Sequence, residues 1–173
     1  MVFPGGFGAA KNLSSFASAG PKMEVIPSVA QLINAFHSAK KPIAACCIAP
    51  ILLARTLPGV RITLGQEKVC DENPYADACG VAKVLGANHV ECKPTEVCIE
   101  RENQIVTTPA YMHNSPIHVV REGIDHMVEE MLKLLKWFCL FAVTDLELDY
   151  FLSLIWNCSP SLIWNYSPSL IQN

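Results

Sequence analysis

The chain has 173 residues, 51% hydrophobic and 17% charged, with a formal net charge of −3. That is enough for one sizeable core, and slight acidity with scattered lysines and arginines speaks against nucleic acid or an anionic membrane surface as a partner. Eight cysteines occur with no secretory leader, CxxC pair or Cys/His metal spacing in view, so free, mostly buried thiols are expected rather than a disulfide scaffold or a zinc site.

The opening "MVFPGGFGAAKN" runs a strand-like Val2-Phe3 into a glycine turn and helix-compatible sequence. It reads as a start inside a fold. Pro27-Ser28 then precede a run in which Val29, Leu32, Ile33 and Phe36 recur at helical spacing, predicting an amphipathic helix whose His37 faces solvent. "PIAACC" has the length and continuous apolarity of a parallel strand covered on both faces. "IAPILLARTL" follows as a helix with Pro50 in its first turn, Pro58-Gly59 ends it, and "VRITL" supplies another strand. The stretch from Cys70 to Val90 predicts a loop, a helix ending near Gly86 and a short strand around "HVEC". "EVCIERENQIVTTPAY" predicts a hairpin turning at Glu102-Asn103. Residues 116–136 form one long helix on this reading, with Ile117, Val120, Ile124, Met127, Met131 and Leu134 or Leu135 as its apolar face. Alternating strands and helices imply an α/β sandwich with a mostly parallel sheet.

Beyond residue 136 the character changes. "WFCLFAV" is too short to span a bilayer, and Asp145, Glu147 and Asp149 interrupt the apolar run after it. The end is a tandem repeat, "SLIWNCSP" then "SLIWNYSP", too short in unit for a solenoid. The expected organisation is therefore an α/β domain over 1–136 and a repetitive, poorly ordered tail over 137–173, with Trp156, Trp164 and Tyr166 exposed.

Cys46 and Cys47 end the "PIAACC" strand where it turns into a helix. A side chain at such a turn points out at the carboxyl edge of the sheet, where open α/β sheets place their ligands, and a helix start just after it favours a thiolate. Cys47 stands nearer the helix, so Cys46 is expected as the last strand residue, facing the core. The plainer alternative is that both are buried small hydrophobes. The "GGFG" turn would bring backbone N–H groups to the same edge, as an oxyanion hole or anion nest does.

"PGGFGAAKNLSSFA" followed by "KPIAACCIAP", with "GVRITLG", "VLGANHV" and "IVTTPAYM", resembles the PfpI-type branch of the class I glutamine amidotransferase-like superfamily. More narrowly it resembles the bacterial isoprenoid-biosynthesis amidotransferase-like proteins and their vertebrate mitochondrial homologues. The resemblance covers residues 2–135. It implies a flavodoxin-like three-layer sandwich, incomplete at the N-terminus, with Cys47 as the elbow nucleophile or redox-sensitive thiol and the backbone amides of Gly5, Gly6 and Ile48 around its reactive partner. The family's glutamate-bearing segment lies upstream of the glycine turn and has no counterpart here, which suggests a truncated isoform. Where a relative carries a histidine base after "ITLG", this chain has Gln66. His113 and His118 follow "TTPAY", but for both a solvent-facing or capped role is the plainer expectation.

The resemblance allows two functions. One is a cysteine-dependent activity of glyoxalase, deglycase or hydrolase type on small carbonyl or acyl compounds. The other is a catalytically inactive pseudoenzyme or isoform with a binding role. A small carbonyl or acyl substrate and a second copy of the chain are the partners allowed, with no cofactor, metal, nucleic acid or membrane span. A full-length family member is expected in mitochondria, although no arginine-rich presequence is visible here.

Overall fold

In the computed structural model, which describes residues 1–144, the strands are β1 (Val2–Phe3), β2 (Ile43–Cys46), β3 (Arg61–Ile62), β4 (Asn88–His89), β5 (Cys98–Glu100) and β6 (Ile105–Thr108). The helices are α1 (Phe7–Asn12), α2 (Phe16–Ala19), α3 (Pro27–Ser38), α4 (Pro50–Thr56), α5 (Asp77–Val84) and α6 (Ile117–Thr144). Met1–Lys136 forms one unit and Trp137–Asn173 another. The tandem repeat and the tail aromatics lie outside the described residues.

The main sheet has the order β1-β2-β6-β5. β1, β2 and β6 are parallel, and β5 returns antiparallel beside β6 as the second arm of the expected hairpin. A second, two-stranded parallel sheet joins β3 to β4. Side chains of β2 alternate between two cores, as the period of a strand requires. Ile43 and Ala45 enter the larger core with Ile33, Leu52, Leu53 and Ile62, whereas Ala44 and Cys46 enter a smaller one with Val106, Val120, Met127 and Leu134. Helices thus cover both faces of a mostly parallel sheet, giving the three-layer α/β sandwich expected from the sequence.

Local chemistry explains the boundaries. Pro27 and Pro50 stand in the first turns of α3 and α4, where a missing N–H costs nothing. α3 stops at a left-handed Lys40, with Lys41 N–H bonded back to the Phe36 carbonyl, and α5 stops in the same way at Gly86, both in the manner of a Schellman cap. "VRITL" yields only Arg61–Ile62 as strand, because side chains take over the next amides. Thr63 N–H donates to Thr107 Oγ1 at 2.9 Å and Leu64 N–H to His89 Nε2 at 3.0 Å. Two expected apolar positions, Leu32 and Ile117, are exposed, since each helix meets its sheet over a narrower stripe than its pattern offers. His37 is half-buried and bonded to Asn103 rather than simply facing solvent. The last helix runs on past residue 136 to Thr144. Among the described residues, no helix is long and apolar enough to cross a membrane.

Six cysteines of the described region are free. Cys46, Cys79 and Cys98 are pushed up to about 11 from an ordinary 9.0, in each case chiefly by burial, with Cys47, Glu67 and Cys92 respectively as the next cause. A thiol that holds its proton more tightly folded than unfolded adds stability that is full below the unfolded value and is lost as pH rises through the folded one. The urea midpoint is therefore expected to fall between about pH 9 and about pH 11, each such thiol contributing on the order of 2 kcal/mol. A flat profile over that interval would mean that these thiols are not buried as described.

Candidate active site

The carboxyl ends of the three parallel strands β1, β2 and β6 meet at one edge of the sheet. Pro4-Gly5-Gly6 follows β1, Cys47-Ile48 follows β2 and Ala110-Tyr111-Met112 follows β6 by two residues. With Pro74 and Tyr75 before α5, Asp77 and Ala78 in its first turn and Phe16 of α2, these segments enclose a cavity of about 700 Å³. This is the edge at which open α/β sheets bind ligands, and its volume is that of an ordinary small-molecule site.

Cys47 stands at the bend between β2 and α4 with φ 58°, in the left-handed region. Its N–H donates to the Thr108 carbonyl at 3.1 Å, tying the bend to the end of β6. Its Sγ lies 3.9 Å from the Met112 Sδ, and the residue is half-buried with the cavity before it. Cys46 ends β2, is buried, and donates its thiol to the Pro4 carbonyl at 3.0 Å. Both cysteines border the cavity, but Cys46 is buried with its thiol held by the Pro4 carbonyl, whereas Cys47 is half-buried at the bend.

The glycine turn is pressed against this bend. A β-carbon on Gly5 would collide with the Cys46 carbonyl oxygen and come within 2.8 Å of the Cys47 Cβ, and Gly5 and Gly6 both have φ in the left-handed region, at 79° and 77°. Only glycine meets both demands at residue 5. Among the described residues, the amides of Gly5, Gly6 and Ile48 donate no hydrogen bond within the chain, so three N–H groups remain available where the cavity lies. Ala110, also a cavity residue, has φ 46°. Two of the four left-handed non-glycine residues of the described region therefore sit at this one edge, where strained backbone commonly accompanies function.

The other residues considered from sequence lie elsewhere. Gln66 accepts from Asn73 Nδ2 at 3.2 Å and ties down the loop before α5; it does not line the cavity. His113 bonds Ser115 Oγ at 2.7 Å and His118 is exposed, and neither lines the cavity. The chain after β6 does reach the site, but through Ala110, Tyr111 and Met112. Sequence reasoning missed Tyr75, Asp77 and Tyr111. Their signal was present in part, since Tyr111 follows a strand parallel to β2 and so ends at the same edge. Among the described residues, no three His, Cys, Asp or Glu side chains are grouped to hold a metal ion.

The mostly parallel sandwich is a flavodoxin-like fold, of the class to which amidotransferase-like proteins belong. The crystal structure of an isoprenoid biosynthesis protein with amidotransferase-like domain from Ehrlichia chaffeensis superposes with a TM-score of 0.65 at 30% identity, covering 78% of this chain and 58% of that one. Within that class the chain is a homologue of the mitochondrial ES1 proteins. It is 45% identical over 136 residues to the mitochondrial ES1 protein homolog of Rattus norvegicus, which covers 77% of this chain and 50% of the relative. It is 44% identical, over the same length and with the same coverage, to the mitochondrial glutamine amidotransferase-like class 1 domain-containing protein 3 of Homo sapiens. The chain spans about half the length of these curated relatives. No family model matches it. The resemblance read from the sequence motifs is thereby borne out.

Proposed function

We propose that the chain carries the thiol site of an amidotransferase-like protein, with Cys47 reacting as a nucleophile toward carbonyl or acyl compounds. The observation that supports this is the left-handed Cys47 opening on a cavity lined by three backbone amides with no partner among the described residues. With an aldehyde, the sulfur bonds to the carbonyl carbon, the π pair moves to oxygen, and the thiol proton ends on that oxygen, giving a hemithioacetal. With an acyl compound, a thioester forms as the leaving group departs with a proton, and water then releases the acid and restores the thiol. In both, the amides of Gly5, Gly6 and Ile48 would hold the oxyanion. Mitochondria are the proposed compartment, because the relatives are named for it.

The alternative, a binding protein without catalysis, draws on a different observation: among the described residues, no histidine lines the cavity. Cys70, exposed on its loop, is an internal standard that separates the two readings. Under the catalytic reading Cys47 is alkylated by iodoacetamide near neutral pH at least about tenfold faster than Cys70, despite its lesser exposure, and Cys47→Ser removes the fast phase while leaving Cys70 unchanged. Equal rates, read by peptide mass spectrometry, would favour the binding protein.

A further inference from the structure

The walls of the cavity carry information about what Cys47 would meet. Phe7, Phe16, Tyr75 and Tyr111 line it together with Ile48, Met112 and Ile124. Phe7, Tyr75 and Tyr111 are 71%, 60% and 53% exposed, so an aromatic rim stands open around the thiol instead of being packed into the core. Among the described residues, no lysine, arginine or histidine lines the cavity, and Asp77 is its one carboxylate. A carboxylate-bearing ligand would find no cation to pair with and one like charge to face. The volume of about 700 Å³ is far more than a three-carbon carbonyl compound can fill, and the remaining wall is apolar.

We propose that this cavity selects neutral carbonyl or acyl compounds bearing a bulky apolar or aromatic group, and turns away compounds of net negative charge. The proposal rests on the reading of Cys47 as the reactive thiol. The reacting carbon sits at Cys47, the apolar group lies among Phe7, Tyr75 and Tyr111, and Asp77 discriminates against anions.

Three alkylating agents with one warhead test it on the full chain: iodoacetamide, N-benzyl iodoacetamide and iodoacetate. In each, the Cys47 sulfur displaces iodide as the S–C bond forms, so only the attached group differs. Each rate at Cys47 is divided by that of the same reagent with 2-mercaptoethanol. The normalised rate is expected to be roughly tenfold or more higher for the benzyl reagent than for iodoacetamide, to saturate with reagent concentration as a reversible complex fills, and to be several-fold lower for iodoacetate. Tyr111→Ala should lower the benzyl preference, and Asp77→Asn should raise the iodoacetate-to-iodoacetamide ratio. Equal normalised rates, or a preference for iodoacetate, would overturn the proposal using the unaltered chain alone, even if a variant failed to fold. If Cys47 outpaces Cys70 but shows no benzyl preference, the substrate class is wrong and the thiol reading stands. If Cys47 is no faster than Cys70 with any reagent, both are wrong.

Discussion

Gly5→Ala is expected to destabilise the fold by about 3 kcal/mol and to slow Cys47 alkylation about a hundredfold. Two costs combine: a left-handed alanine is disfavoured by roughly 1–2 kcal/mol, and forcing a methyl into close-packed atoms costs roughly 1–3 kcal/mol more. The atoms in the way are the Cys46 carbonyl oxygen and the Cys47 Cβ, so relief can come only by moving the bend that carries the thiol. A displacement of about an ångström suffices for a hundredfold loss at a reacting centre. Gly6→Ala is the matched control. Its φ is also left-handed, at 77°, but a β-carbon there meets nothing within 4 Å, leaving only the conformational cost of roughly 1–2 kcal/mol. Urea unfolding and thiol alkylation of both variants would decide the matter, and equal losses would refute the role given to close approach at residue 5.

The second large effect is expected on the far face of the sheet. Gly123 lies within α6, and a β-carbon on it would overlap the Pro94 carbonyl oxygen and come within 3.1 Å of Thr108 Oγ1. Replacing a helical glycine by alanine ordinarily stabilises by about 1 kcal/mol. Here the sign should reverse, with a loss of about 3 kcal/mol or more, because the obstacle is backbone and α6 must lift from the sheet. Gly80 in α5, with nothing within 4 Å of its added β-carbon, should show the ordinary sign, and chemical denaturation of the pair tests the contrast. The consequence extends to the site. Thr108 donates its hydroxyl to the Glu96 carbonyl at 3.0 Å and accepts the Cys47 N–H through its own carbonyl. Displacing α6 therefore strains the tie that holds the thiol bend.

How far the fold could be read in advance depended on the range of the forces involved. "PIAACC" was legible because a strand covered on both faces must be apolar throughout, and the division of labour between Cys46 and Cys47 followed from parity and from where the helix begins. The hairpin at residues 98–108 was legible because its turn is local. The early end of β3 was not, since the Thr63 amide is captured by a hydroxyl 44 residues away. Nor was the aromatic rim: Tyr75, Asp77 and Tyr111 belong to segments that become neighbours only through the order of the strands. Gln66 illustrates the limit from the other side. Its position just after the "ITLG" motif suggested the site, but its hydrogen bond to Asn73 holds it in the loop instead.

The position of β6 between β2 and β5 has a consequence for how the protein is made. The first partner of β2, β1, precedes it in the chain, but its second emerges only much later, as the register Ile43↔Ile105 to Cys46↔Thr108 shows. During synthesis, the four apolar residues of β2 must wait with one hydrogen-bonding edge open, and such non-local pairings are the slow steps of folding. An open apolar edge is also what other chains find and pair with. The pairing of β5 with β6 is local in the chain, and the joining of β6 to β2 closes the edge. Only at that moment does the Thr108 carbonyl arrive to receive the Cys47 amide, so the bend at Cys47 is not tied down until β6 has joined β2.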